Sequence, residues 1–201
     1  MKFVPRSLET RRRIIESTAE LFNKKGFHST TLNDLTAATK LTKGGIYGNF
    51  ENKEDIALSV FDYNLAKRRN GIDTEMDMVK TFKDKILANI DAYYFKDAES
   101  RLSGGCPLQN TAIEADDTHE GLREKAAEGF IDWKNSLSEL ISKGIENGEF
   151  RPGIDVDRMA FSLIAIIEGS VLLGRTMRQN KVQTDVLDTA RSMVESFVQE
   201  H

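Results

Sequence analysis

The chain has 201 residues, of which 39% are hydrophobic and 30% charged, the balance of a folded globular protein long enough for one or two domains. Three prolines and no alternating apolar-polar runs argue for an all-α fold, and no apolar stretch reaches about 18 residues without a charge, which excludes a helical membrane span. A single cysteine, and an N-terminal Met-Lys-Phe-Val-Pro-Arg-Ser with no apolar core, lead us to expect a reducing, cytoplasmic setting.

The net charge of −4 conceals an asymmetry: residues 1–70 carry 13 Lys and Arg against 8 Asp and Glu, a net of +5, and the remainder carries −9. A basic head on an acidic body suits a nucleic-acid-reading segment joined to a regulatory one.

Helical spacing of Leu8, Ile15, Ala19 and Phe22 predicts a first helix over about 8–25, ended by Gly26 in a left-handed conformation. Arg11, Arg12 and Arg13 fall in its first turns, against the helix dipole, a placement that a nearby DNA backbone would explain. Three helix starts then follow within 25 residues. Thr31 caps one with Asp34 at N3, Thr42 caps a second after a break at Lys40-Leu41, and Asn52 caps a third with Asp55 at N3. The middle helix is therefore only about two turns long. Two short helices joined by a tight turn make a helix-turn-helix, whose second helix enters the major groove. Lys43 supplies charge there, Gly44 and Gly45 allow close approach, and Tyr47 carries a hydroxyl for a phosphate oxygen. Lys53, in the first turn of the next helix, sits where a phosphate meets a helix N-terminus.

This stretch resembles the DNA-binding domain of the TetR family of bacterial transcriptional regulators. The resemblance runs from about Arg11 to Tyr63, through Ile14-Ile15, Ala19, Leu21-Phe22, Gly26-Phe27, Thr30-Thr31, Leu35, Leu41-Thr42-Lys43-Gly44, Ile46-Tyr47, Phe50 and Lys53-Glu54. Thr36, Gly48 and Asn49 depart from the usual family residues. The resemblance implies a helix-turn-helix domain over 1–52, a helical effector-binding and dimerisation domain over 53–201, and about nine helices in all. It assigns DNA contact to Thr31, Thr42, Lys43, Gly44, Gly45, Tyr47, Asn49 and Lys53.

Farther along, the spacing predicts a fourth helix to about Asn70, stopped by Lys67-Arg68-Arg69-Asn70-Gly71, and a fifth over 72–98. A loop from Ser100 to Gly105 leads to a sixth helix with Cys106 as N-cap and Pro107 at N1. The acids at Asp116-Asp117 suit the start of a seventh helix that reaches Asn147-Gly148. An eighth, over about 155–179, is apolar almost all round from Met159 to Leu173, and a ninth covers about 184–199. A helix without a polar face is buried on both sides, one against its own subunit and one against a partner. On that ground Ala165, Gly169, Leu172, Val186, Ala190, Val194 and Phe197 are expected at a homodimer interface.

No catalytic or metal constellation emerges: the three histidines are His28, His119 and His201, and His119 reads as part of a helix start. The expectation is no enzyme and no cofactor. The family pattern implies a pocket in the body for a small apolar or amphipathic effector. Helical spacing selects Phe82, Ile86, Ile90, Tyr93, Phe130, Trp133, Leu137, Phe161, Ile164 and Glu168 to line it, with Glu168 paired to Arg123 or Arg175 if no ligand takes it. Cys106 joins the ligand set. Gly-Cys-Pro-Leu-Gln-Asn followed by Glu114 resembles a pattern of one family subgroup, some of whose members respond to electrophiles, and an N-cap thiol is acidified; a buried packing cysteine is the other reading. The function expected is a repressor released from a palindromic operator by its effector. The alternatives are an architectural DNA-binding protein without effector and an enzyme with a fused helix-turn-helix.

Overall fold

The computed structural model describes residues 6–94 and 104–199. Among them the chain forms nine helices: α1 (Arg6–Ser29), α2 (Leu32–Thr39), α3 (Lys43–Tyr47), α4 (Lys53–Asp77), α5 (Phe82–Asp91), α6 (Pro107–Ala115), α7 (Glu120–Glu146), α8 (Val156–Met177) and α9 (Asn180–Glu195). The only β-type pairing among the described residues is an isolated antiparallel bridge between Phe150 and Val198. The all-α expectation therefore holds.

Several boundaries differ from the sequence reading, each for a local reason. Gly26 breaks α1 with φ 78 and ψ 176, as expected, yet one more helical turn follows it. The Arg-Arg-Asn-Gly run does not stop α4. An interior glycine costs only about 1 kcal/mol relative to alanine, and Ile72, just beyond Gly71, is buried at 7% exposure. The fifth helix consequently starts only at Phe82, where the Thr81 side chain accepts from Asp84 N. The part of its predicted span beyond residue 94, and most of the loop over 100–105, lie outside the described residues. His119 rather than Asp116 starts α7: its Nδ1 accepts from Leu122 N at 3.2 Å, and Arg123 N donates to its carbonyl. Asp155 caps α8 through Arg158 N, and α9 begins four residues early, at Asn180.

The described chain divides into two compact units that do not follow chain order. One comprises Met1–Lys67 with Leu102–Ala127, the other Arg68–Arg101 with Glu128–His201. The division expected at residue 52 is a cut along the sequence, whereas α6 belongs to the same compact unit as α1 to α3. The core of the first unit gathers Ile14, Leu35, Ile46, Phe50, Ile56 and Val60, all at 3% exposure or less. Each such side chain contributes roughly 1.5–3 kcal/mol by leaving water. The second unit is organised by the α8–α9 pair. Gly174 allows the close approach there, since an added Cβ would lie 2.7 Å from that of Gln183.

Candidate nucleic-acid interface

Residues 31–48 fold as the caps dictate. Thr31 N donates to Asp34 Oδ2 at 2.9 Å and Asp34 N donates back to Thr31 Oγ1 at 3.2 Å, closing a capping box. Lys25 Nζ lies 2.7 Å from Asp34 Oδ1. Lys25, then the Thr31 backbone N–H and hydroxyl, hold the Asp34 carboxyl down to about 2. Lys40 adopts the left-handed conformation, φ 59, and its N–H reaches Thr36 O. It thereby ends α2 and turns the chain into Thr42, whose side chain accepts from Gly45 N at 3.2 Å. Ile46, fully buried, nails α3 to the core. Thr42, Lys43 and Gly44 are left exposed. A Cβ on Gly44 would meet nothing within 4 Å, so the fold itself does not require glycine there. What its absent side chain leaves is room for an external surface. Thr31 is exposed as well, while Gly45 and Tyr47 are half-buried, the tyrosine ring resting against the core.

Besides the capping side chains of Thr31 and Thr42, two more of the eight expected contact residues are engaged within the fold. Asn49 donates its side-chain amide to Gly45 O at 2.9 Å, so it caps α3. Lys53 Nζ donates to Phe27 O at 2.8 Å and Thr30 O at 3.1 Å and stands 4.4 Å from the Phe27 ring centroid. Its charge ties the joint between α1 and α2. Arg11 is committed too: it donates to Asn49 O at 2.7 Å, pairs with Asp55 at 2.8 Å, reaches Ser59 and lies over the Phe50 ring at 3.9 Å. The Asp55 carboxyl is held below the usual carboxylate range, chiefly by Arg11. Arg12 pairs with Glu16, whereas Arg13, Lys40 and Lys43 are exposed cations without an ion pair among the described residues. The sequence marked Arg11 and Lys53 as basic; that both are internal ties follows from contacts 23 to 48 residues away, which spacing does not show.

Glu114 on α6 also reaches this region. Its two oxygens accept from Phe27 N and His28 N, both at 2.8 Å, and Asn110, one turn earlier, donates to Asn23 O and Gly104 O. Glu114, Phe27, Asn110 and Gly104 wall a cavity of about 390 Å³ within the same unit, together with Phe22, Phe61 and Leu122. None of the residues expected to line an effector pocket belongs to its wall.

With the head's geometry in place, comparison with known proteins decides what carries it. Residues 14–60 match the model of the bacterial regulatory proteins of the tetR family, and residues 83–190 match the tetracyclin repressor-like C-terminal domain. The chain belongs to the TetR family. A solved TetR-family regulator from Cytophaga hutchinsonii is 43% identical, with both chains fully covered and a TM-score of 0.96. One from Chloroflexus aurantiacus J-10-FL is 37% identical over 97% of this chain and 98% of that one, with a TM-score of 0.89. Among characterised relatives, the fatty acid metabolism regulator protein of Bacillus subtilis (strain 168) is 25% identical over 92% of each chain. The protein is a ligand-responsive, DNA-binding transcriptional regulator and not an enzyme.

The residues that a TetR-family regulator would devote to effector and partner are sorted by the second unit. Ile86, Ile90, Leu137 and Ile164 are core, at 0 to 5% exposure. Tyr93 stacks on Trp133 with ring centroids 5.5 Å apart and has the Arg68 guanidinium 3.7 Å from its centroid. Trp133 Nε1 donates to Asn89 at 3.2 Å. Phe82, Phe130 and Trp133 remain half-buried, and Glu168 is buried. Arg123 pairs with Glu120 rather than Glu168, and Arg175 is exposed. Phe161 departs from the expected lining: it is 48% exposed, on the outer side of α8. Cys106 departs as well. It lies in the first unit, is 3% exposed and makes no side-chain cap bond, which is the placement of a buried packing cysteine, the other reading open to it.

The expected dimer residues split similarly. Ala190, Val194 and Phe197 are buried within their own unit, Phe197 edge-on to Phe150. At 0 to 1% exposure those three are packed within the subunit. Ala165 and Leu172 are exposed, Gly169 and Val186 half-buried, and Gly169 has open space where a side chain would stand.

Proposed function

We propose that the protein is a homodimeric repressor that binds a palindromic operator through α3 and leaves it when a small apolar or amphipathic effector binds the body. The observation that carries the dimer is the outer side of α8. Phe161, Ala165, Leu172, Leu173 and Met177 are all exposed there, at a spacing that places most of them along one side of a helix. A stripe of this kind rimmed by charge marks an association surface, and a twofold contact sets two heads at the spacing of adjacent half-sites, about one DNA turn. The half-buried rings of Phe82, Phe130 and Trp133 with the buried carboxylate of Glu168 support an amphipathic ligand in the second unit. Such a ligand acts by preferring the head spacing that does not fit DNA, and lowers operator affinity by its differential affinity for the two states.

Selection of duplexes from a randomised library by the wild-type protein should return an inverted repeat, and sedimentation at micromolar concentration should show a dimer. Gly169→Arg, which has room inside the subunit, should give a folded monomer that no longer holds the repeat. A wild-type monomer, or enrichment of a single asymmetric half-site, overturns the reading.

A further inference from the structure

The joint between α1 and α2 is held from two sides. At Gly26 the backbone leaves the helical region, so the N–H groups of the turn that follows lose their regular acceptors. Glu114 supplies both replacements, one oxygen to each donor. The joint's carbonyls, Phe27 O and Thr30 O, are taken by Lys53 of α4. One residue beyond Thr30, Thr31 opens the capping box of α2, and α3 follows within a dozen residues. The direction in which the helix-turn-helix leaves α1 is therefore set by a carboxylate on α6, 86 and 87 residues farther along the chain. Asn110, four residues before Glu114, keeps that carboxylate in register by gripping Asn23 O at 3.0 Å and Gly104 O at 2.8 Å. Gly26 fits the same arrangement twice over. Its φ lies in the left-handed region, and a Cβ there would run into the Glu114 carboxylate.

We propose that Glu114 is a positioning residue for DNA recognition: it fixes the angle at which α2 and α3 leave α1, and α6 thereby acts on the DNA-reading helix directly. The charge separates this role from a contact role. A carboxylate beside a basic head repels phosphate, so its removal would strengthen DNA binding if electrostatics alone mattered. Positioning demands the opposite. A charge-assisted cap contributes more than a neutral one, and an amide keeps only one acceptor for two donors.

The test compares Glu114→Gln and Glu114→Ala with wild type on two duplexes of equal length, the sequence selected by the wild-type protein and a scrambled one, across several salt concentrations. We expect affinity for the selected duplex to fall about tenfold for the amide and further for alanine. Scrambled-duplex affinity should stay within about twofold and the salt slope should not change, because the phosphate-facing cations remain. Wild-type or tighter binding of the selected duplex by Glu114→Gln overturns the proposal. So does an equal loss on both duplexes accompanied by a drop in melting temperature, which would mark Glu114 as a stability residue only. Should the alanine variant fail to fold, the isosteric Gln variant alone decides.

Discussion

The two compact units both join an apolar core to polar ties between distant segments, and they differ in what those ties hold. In the first, a modest apolar core is surrounded by polar ties between segments distant in sequence: Arg11 to Asn49, Asp55 and Ser59, Lys53 to Phe27 and Thr30, Glu114 to Phe27 and His28. In the second, ties of the same kind run from Phe82 N and Lys83 N to Glu149, from the Gln183 amide to Tyr93 O and from Arg191 to Asp91, and close approaches over glycine are added to them. Phe150 sits over Gly144 and edge-on to Phe197, and Gly174 lets α9 settle on α8. Directional ties suit a unit that must present one short helix at a defined angle. In the second unit the ties fix α9 against α5 and leave an exposed apolar stripe on α8.

That contrast can be broken most sharply in the second unit. A Cβ on Gly144 would collide with the Phe150 ring, and that ring is 1% exposed with no room to swing out. Gly144→Ala should cost about 3 kcal/mol through overpacking, measured by urea or thermal unfolding. A loss below about 0.5 kcal/mol would show that the ring can shift and that the unit is looser than described.

Next in size is the head. Arg11→Ala removes a charged hydrogen-bond network and the contact over Phe50, and should cost about 2 kcal/mol. It should also change the acid dependence. Asp55 has a folded-state pKa below its unfolded value of about 3.9. Its stabilisation is thus complete above that value and lost as pH falls through the depressed one. Unfolding followed from pH 7 to pH 3 should show a shallower acid-side loss in Arg11→Ala than in wild type. Identical profiles would mean that the Arg11 network is incidental.

How far the sequence revealed these two regions follows from the range of the interactions. The caps at Thr31 and Thr42 are local, spanning three residues, and they were legible together with the helix-turn-helix they delimit. Helical spacing likewise picked out Ile86, Ile90 and Leu137, there as the lining of a pocket, and all three are buried. Periodicity does not say which partner a buried face meets. Ala190, Val194 and Phe197 carry the same stripe whether it packs inside the subunit or against another, and the structure puts them inside. Lys53 and Arg11 were read as basic and therefore DNA-facing, because a lone charge near a DNA-reading helix gives no hint of a carbonyl 23 residues away. Glu114 was visible only as one member of a motif. Its role depends on the break at Gly26, and that pairing of a left-handed glycine with a remote carboxylate has no local signature.

The distinction between exposed and internal cations tests the account most directly. Lys43 stands exposed at the start of α3, whereas Lys53 is spent on Phe27 O and Thr30 O. Binding of the selected duplex should be titrated against salt for wild type, Lys43→Ala and Lys53→Ala. Loss of Lys43 should flatten the salt slope by about one unit, the signature of one phosphate contact. Loss of Lys53 should weaken binding with the slope unchanged, because it loosens the joint and leaves the phosphate contacts in place. A flattened slope for Lys53→Ala together with an unchanged one for Lys43→Ala would contradict the account.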